Sequence, residues 1–267
     1  MTANWMTRMG RAAREMFREA AGGLVALCFP DECRVCHRAL EGPSRLPICA
    51  GCLGSFRVIA APICGICGRP MVAGAHVGAE GPVCALCRRK VYSFDLARSY
   101  AAYDDALLRA VILLKHEAIH PLAVWLGKRL AEVARSDSRV AAAHVVVPVP
   151  LHPERQRERG FNQAELLARE VAKRLSLPLE AKALERRKPR PPKLRLSRHE
   201  RWQAARGAYA AVTSSQFDNR RVLLVDDVFT TGATLDACAK ALRSSGAAHV
   251  TALTVARVVD AWAGSPP

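Results

Sequence analysis

Eight of the ten cysteines in this 267-residue chain fall in four C-x-x-C pairs: Cys33/Cys36, Cys49/Cys52, Cys64/Cys67 and Cys84/Cys87. Two residues between cysteines let both sulfurs face one ion, and two such knuckles joined by a short hairpin supply the four thiolates of tetrahedral zinc. Twelve residues separate Cys36 from Cys49 and sixteen separate Cys67 from Cys84, so the halves repeat each other. The spacing predicts a double zinc ribbon with two structural Zn²⁺ sites, since four cysteine ligands leave no open position for catalysis. Pairing is sequential in the simplest arrangement, with an interleaved one also open. A disulfide framework would require export, and no export signal is evident. A redox centre needs one C-x-x-C pair rather than four in tandem. His37 and His76 are within reach of the sites but read as surface residues, and Cys28 and Cys238 as small core residues.

A second kind of chemistry lies far downstream. Val222-Leu223-Leu224-Val225 reads as a buried strand ending in Asp226-Asp227. The small and hydroxyl-bearing loop Thr230-Thr231-Gly232-Ala233-Thr234 follows, and then a helix begins. Such a loop aims backbone N–H groups and a helix N-terminus at one spot, which suits a phosphate. The two acids repel phosphate but suit hydroxyls or a metal beside it, and a phosphate next to a diol is a ribose 5-phosphate. No Gly-x-x-x-x-Gly-Lys-Ser/Thr run is present, so a Walker-type ATPase is excluded. A third constellation follows Val147-Pro148-Val149-Pro150-Leu151-His152. There Arg155, Arg157 and Arg159 precede Gly160-Phe161-Asn162-Gln163, in reach of a pyrophosphate if the strand before them delivers the loop to the carboxyl edge of a sheet.

These groups need an α/β scaffold. Leu96–Tyr103 reads as an edge strand, and Val145–Pro150, Val222–Val225 and His249–Val258 as strands buried on both faces. Ala106–Lys115, Leu122–Ala134, Phe161–Leu175 and Leu235–Arg243 have helical spacing, with Gly246 placed for a C-terminal cap. Arg186–Arg206 is basic and lacks periodicity, and reads as a mobile loop. Strand-helix-strand alternation implies a parallel sheet. The expected organisation is an N-terminal helix over 1–27, a double zinc ribbon over 28–92, an α/β domain over 93–260 and a frayed tail over 261–267.

Composition sets the outer bounds. Half the residues are hydrophobic, which excludes global disorder, and no apolar run approaches the roughly 20 residues of a bilayer span. Glu15 and Glu19 interrupt the basic N-terminal stretch, which reads as a helix rather than a targeting segment. Forty Lys and Arg against 24 Asp and Glu give a net charge of +16, which implies affinity for polyanions. Leu151–Arg206 alone holds 16 Lys and Arg against seven Asp and Glu.

The segment Val222–Thr234 resembles the motif by which type I phosphoribosyltransferases bind phosphoribosyl pyrophosphate (PRPP). With the tandem cysteine pairs, Pro-Val-Pro-Leu and Arg-Gly-Phe-Asn-Gln in that order, the chain resembles the ComF (ComFC-like) family of competence-associated, phosphoribosyltransferase-like proteins over roughly Leu24–Val258. The resemblance implies a type I phosphoribosyltransferase-like parallel sheet preceded by the ribbons. It implies that Asp226 and Asp227 hold the ribose hydroxyls, that Thr230, Thr231, Gly232, Ala233 and Thr234 cradle the 5′-phosphate, and that Mg²⁺ accompanies the pyrophosphate. Arg155, Arg159 and Lys115 are the candidates for stabilising a leaving pyrophosphate. A cytoplasmic bacterial protein of DNA uptake is implied, with single-stranded DNA and other uptake proteins as partners. The alternatives are an active, amidophosphoribosyltransferase-like enzyme using a nitrogen acceptor, and a zinc-ribbon docking protein with a degenerate transferase domain. The chain departs from the family where Lys193-Leu194-Arg195-Leu196-Ser197 and Gln203–Tyr209 stand. That stretch corresponds to the loop that closes over the reaction, so the departure bears on transfer chemistry more than on phosphate binding.

Overall fold

The computed structural model describes residues 32–40, 46–71, 77–78, 81–117, 119–189, 196–212 and 217–259. The expected N-terminal helix, Cys28, His76, Arg195 and the tail over 261–267 lie outside the described residues. The chain divides into two compact units between Ser55 and Phe56. This boundary lies between the two cysteine-rich halves, so the second half belongs to the unit that carries the sheet.

In the larger unit, β1 (Leu96–Ala102), β2 (Val145–Pro148), β5 (Arg221–Phe229) and β6 (His249–Arg257) form a four-stranded, all-parallel sheet in the order β1-β6-β5-β2. Its strands read as near-continuous apolar runs because helices cover both faces of a parallel sheet. Val145, Val146, Val147, Leu223, Leu224 and Val225 are accordingly all buried. As expected, β1 lies at the sheet edge. The helices are α1 (Asp105–His116), α2 (His120–Ser136), α3 (Pro153–Arg159), α4 (Gln163–Leu175), α5 (Arg198–Ala205) and α6 (Ala233–Ser244). Leu122, Leu126 and Leu130 repeat every four residues and bury one stripe of α2. Helix α4 begins where the Asn162 side chain accepts from the Ala164 N–H at 3.0 Å. Helix α6 ends as expected near Gly246, whose φ is +90° and whose neighbour Ala247 donates back to the Leu242 carbonyl.

Two sequence readings are corrected. Arg186–Arg206 is not simply a loop. It begins in the short antiparallel pair β3 (Leu184–Arg186) and β4 (Tyr209–Ala211), and between them Arg198–Ala205 is helical. The signal for α5 stands in the sequence: Ser197 accepts from the Glu200 N–H while the Glu200 side chain accepts from the Ser197 N–H, a reciprocal capping box. The basic turn over Arg155–Arg159 is also a helix, with Pro153 in its first turn and Gly160 closing it at φ +78°.

Candidate functional site

The two cysteine clusters pair sequentially. Cys33, Cys36, Cys49 and Cys52 form one group and Cys64, Cys67, Cys84 and Cys87 the other, each with sulfurs within 4.8 Å of one another. Measured separations are 3.8 Å for Cys33–Cys52, 3.6 Å for Cys36–Cys49 and 3.7 Å for Cys67–Cys84. Zn–S bonds of about 2.3 Å place tetrahedral sulfurs about 3.8 Å apart, so both groups fit structural zinc. Backbone N–H groups point at the sulfurs, from Cys49 to Cys33 at 3.3 Å and from Cys84 to Cys64 at 3.4 Å. Such contacts orient the thiolates and spread their charge. His37 is exposed and stands outside the clusters, and Cys238 is buried in the core, as expected for each.

Strand β5 runs past the expected end at Asp226-Asp227 to Phe229, so both acids lie within its last stretch of pairing and alternation sends them to opposite faces. The Asp227 carboxylate is 2.9 Å from the Lys115 ammonium and accepts from the Gln163 amide at 2.9 Å. The Gln163 carbonyl in turn accepts from Arg159. The ends of α1, α3 and α4 therefore converge on one carboxylate. Lys115 and Arg159, both expected from sequence as pyrophosphate-stabilising candidates, belong to this cluster, whereas the third candidate, Arg155, is exposed on α3. Sequence reasoning gave Gln163 no role of its own. Its place at the first position of a helix facing a strand-end acid is the signal that could have found it.

Asp226 is buried, and its Oδ1 accepts from the Asp227 N–H at 2.8 Å. Burial, and then the neighbouring Asp227 charge, push its carboxyl up to about 8. Burial also raises the Tyr209 phenol and the Cys238 thiol, and each is raised further by the Asp226 charge.

The loop after β5 is held from several sides. The Thr231 hydroxyl accepts from the Ala233 N–H at 3.3 Å, the Thr230 hydroxyl from Arg201 of α5 at 3.3 Å, and the Thr231 carbonyl from the Tyr92 hydroxyl at 3.3 Å. Gly232 caps α6 at φ +84°. A Cβ there would stand 2.5 Å from a Tyr92 ring carbon and 2.8 Å from one of Phe229, so the aromatic floor and the backbone angle both require glycine. Thr230, Thr231, Gly232, Ala233 and Thr234 thus form a short turn opening α6 beside the acids. An oxyanion with adjacent hydroxyls is the chemistry such a turn can receive: N–H donors for the anion and carboxylates for the hydroxyls.

Among the described residues, no helix is long and apolar enough to cross a membrane. A phosphoribosyl transferase domain model matches residues 162–263, and a double zinc ribbon domain model matches residues 24–88. Among curated proteins, the chain is similar to Competence protein F of Haemophilus influenzae, at 29% identity covering 79% of this chain and 90% of that protein. It is similar to Competence protein ComFC of Bacillus subtilis at 28% identity, covering 79% of this chain and 84% of the relative. DNA utilization protein YhgH of Escherichia coli is 28% identical over 87% of this chain and the whole of that protein.

Proposed function

Because this chain belongs to the ComF family of proteins that join a double zinc ribbon to a phosphoribosyltransferase-like domain, we propose that it binds PRPP or a related ribose 5-phosphate and serves DNA uptake. The observation that carries the reading is the convergence of Lys115 and Gln163 on Asp227, beside the turn over Thr230–Thr234. In this reading the turn and the start of α6 take the 5′-phosphate, and the acids take the ribose hydroxyls. Mg²⁺, when bound, neutralises the pyrophosphate and helps to orient it. The chain's own cations do the rest: Arg159 reaches the same cluster through Gln163, and Lys115 is a charge that a bound ligand can recruit from Asp227. The place of work is the cytoplasm, with single-stranded DNA as the macromolecular partner, met by the basic stretch over 151–206. A logarithm of DNA affinity that does not fall steeply with the logarithm of salt would remove DNA from this account.

The test is a titration of PRPP with and without Mg²⁺, comparing wild type with the Asp226→Ala/Asp227→Ala double variant. Saturable binding lost in the variant is expected, and no binding to wild type would remove the ligand assignment. An active transferase is the second reading, favoured by the contact of Arg201 on α5 with the phosphate turn. Pyrophosphate release with any member of a panel of bases and amines would establish it, and binding without release would leave a PRPP sensor.

A further inference from the structure

Arg257, the last residue of β6, is 2% exposed and has no carboxylate within salt-bridge distance among the described residues. Its guanidinium donates to the Cys67 carbonyl at 2.7 Å and to the Cys67 sulfur at 3.5 Å, and its Nε has no hydrogen-bond partner among the described residues. A buried cation without an acid is costly unless another anion faces it. Four thiolates around one divalent ion are such an anion, because their charge exceeds that of the metal. The same guanidinium lies over the Phe229 ring, 3.9 Å from its centroid. Phe229 ends β5, immediately before the phosphate turn, and its ring packs edge-on against Tyr92 and Phe94. Tyr92 donates to the Thr231 carbonyl, and Gly232 rests on both Tyr92 and Phe229. A continuous set of contacts therefore runs from Cys67 through Arg257 and Phe229 to Thr231 and Gly232. A second arginine, Arg98 of β1, holds the same knuckle by donating to the Gly65 carbonyl at 3.1 Å and the Ile66 carbonyl at 3.3 Å.

We propose that Arg257 is a positioning residue that couples the second cysteine cluster to the phosphate turn, so that metal held by Cys64, Cys67, Cys84 and Cys87 sets the affinity of Thr230–Thr234 for a sugar phosphate. The proposal rests on the ligand reading above and adds the control of that site by the ribbon. With zinc bound, the guanidinium is held against the cluster, and Phe229 and Tyr92 form a fixed floor under the turn. Without it, the charge on Arg257 loses its counterpart and the floor loses its clamp.

The test uses the full-length, zinc-loaded protein and the variants Arg257→Met and Arg257→Lys. Three readouts are taken: zinc release to a chelator, hydrogen exchange of amides 229–235 without ligand, and the PRPP dissociation constant with Mg²⁺. Outer contacts to metal ligands typically change metal affinity about 10–100-fold. Arg257→Met is accordingly expected to speed the release of one of the two zinc ions by about tenfold or more, to speed exchange at 229–235 and to weaken PRPP by a similar factor. Arg257→Lys should recover part of all three, which a purely space-filling role would not give. Faster zinc release with unchanged exchange at 229–235 would overturn the coupling. If Arg257→Met does not fold, Tyr92→Phe removes only the hydroxyl on the Thr231 carbonyl. It should weaken PRPP several-fold with zinc release unchanged, and unaltered affinity would count against the coupling. If wild type binds no PRPP, the ligand reading fails, while exchange at 229–235 still decides whether Arg257 links cluster and turn.

Discussion

The two cysteine clusters are the same turn built twice. In each, the first cysteine carbonyl accepts from the residue four positions on, His37 at 2.8 Å in one and Gly68 at 2.9 Å in the other. In each, the first cysteine N–H donates to the carbonyl five positions on, that of Arg38 or Arg69. The residue after each first knuckle has a left-handed backbone, φ +60° at His37 and +68° at Gly68. The difference lies in what surrounds them. Cys36 and Cys49 are half-buried, whereas all four cysteines of the second cluster are buried and share a core with Phe94, Leu224, Leu235 and Ala252 of the sheet unit. The repeat defines the metal chemistry, and the departures from it mark the copy built into the sheet unit. At position 37 a histidine side chain is exposed, but a Cβ on Gly68 would stand 2.7 Å from the Ala97 carbonyl of β1.

The largest expected effect separates the clusters outright. Cys64→Ser and Cys36→Ser should each lose one zinc by metal analysis. Cys64→Ser should also abolish or lower by more than about 10 °C the calorimetric transition of the sheet unit, because metal binding energy there is folding energy. Cys36→Ser should leave that transition within about 2 °C, and equal losses would break the comparison. Next in size is Gly68→Ala, which meets both a backbone oxygen and a disfavoured φ. A cost of about 2–4 kcal/mol is expected from denaturant unfolding.

A pH-dependent effect comes from the buried acid in the same unit. The Asp226 carboxyl moves from 3.8 up to about 8, so between those values the folded chain holds a proton that the unfolded chain releases. Stability from this group falls as pH rises through that window and changes no further above it. Asp226→Asn should flatten the pH dependence of Tm between about pH 4 and 8 and raise Tm at pH 8 relative to pH 5. The smallest effect sharpens the contrast with Gly68: His37→Ala, at the equivalent exposed position, should change stability by no more than about 0.5 kcal/mol.

Much of this was legible from residue types and spacing. The cysteine spacing predicted the clusters, and the apolar runs at Val145–Pro150 and Val222–Val225 predicted buried strands, because metal ligation and burial on both faces leave simple signatures. What escaped was either short or charged. Helices α3 and α5 bury little of themselves, so apolar periodicity is silent there, and only Pro153, Gly160 and the Ser197/Glu200 pair mark their ends. The Asp227 cluster draws on Lys115, Gln163 and Arg159, which come together only when three helix ends meet one strand. Arg257 was invisible as a partner of Cys67 because 190 residues separate them.

The most direct test is a hydrogen-exchange footprint of Mg²⁺·PRPP on the full-length, zinc-loaded protein. Slower exchange is predicted for amides 226–236, with no change over 33–52. Unchanged exchange at 226–236 under saturating ligand would contradict the assignment of the strand-end acids and the turn after them as the sugar-phosphate site.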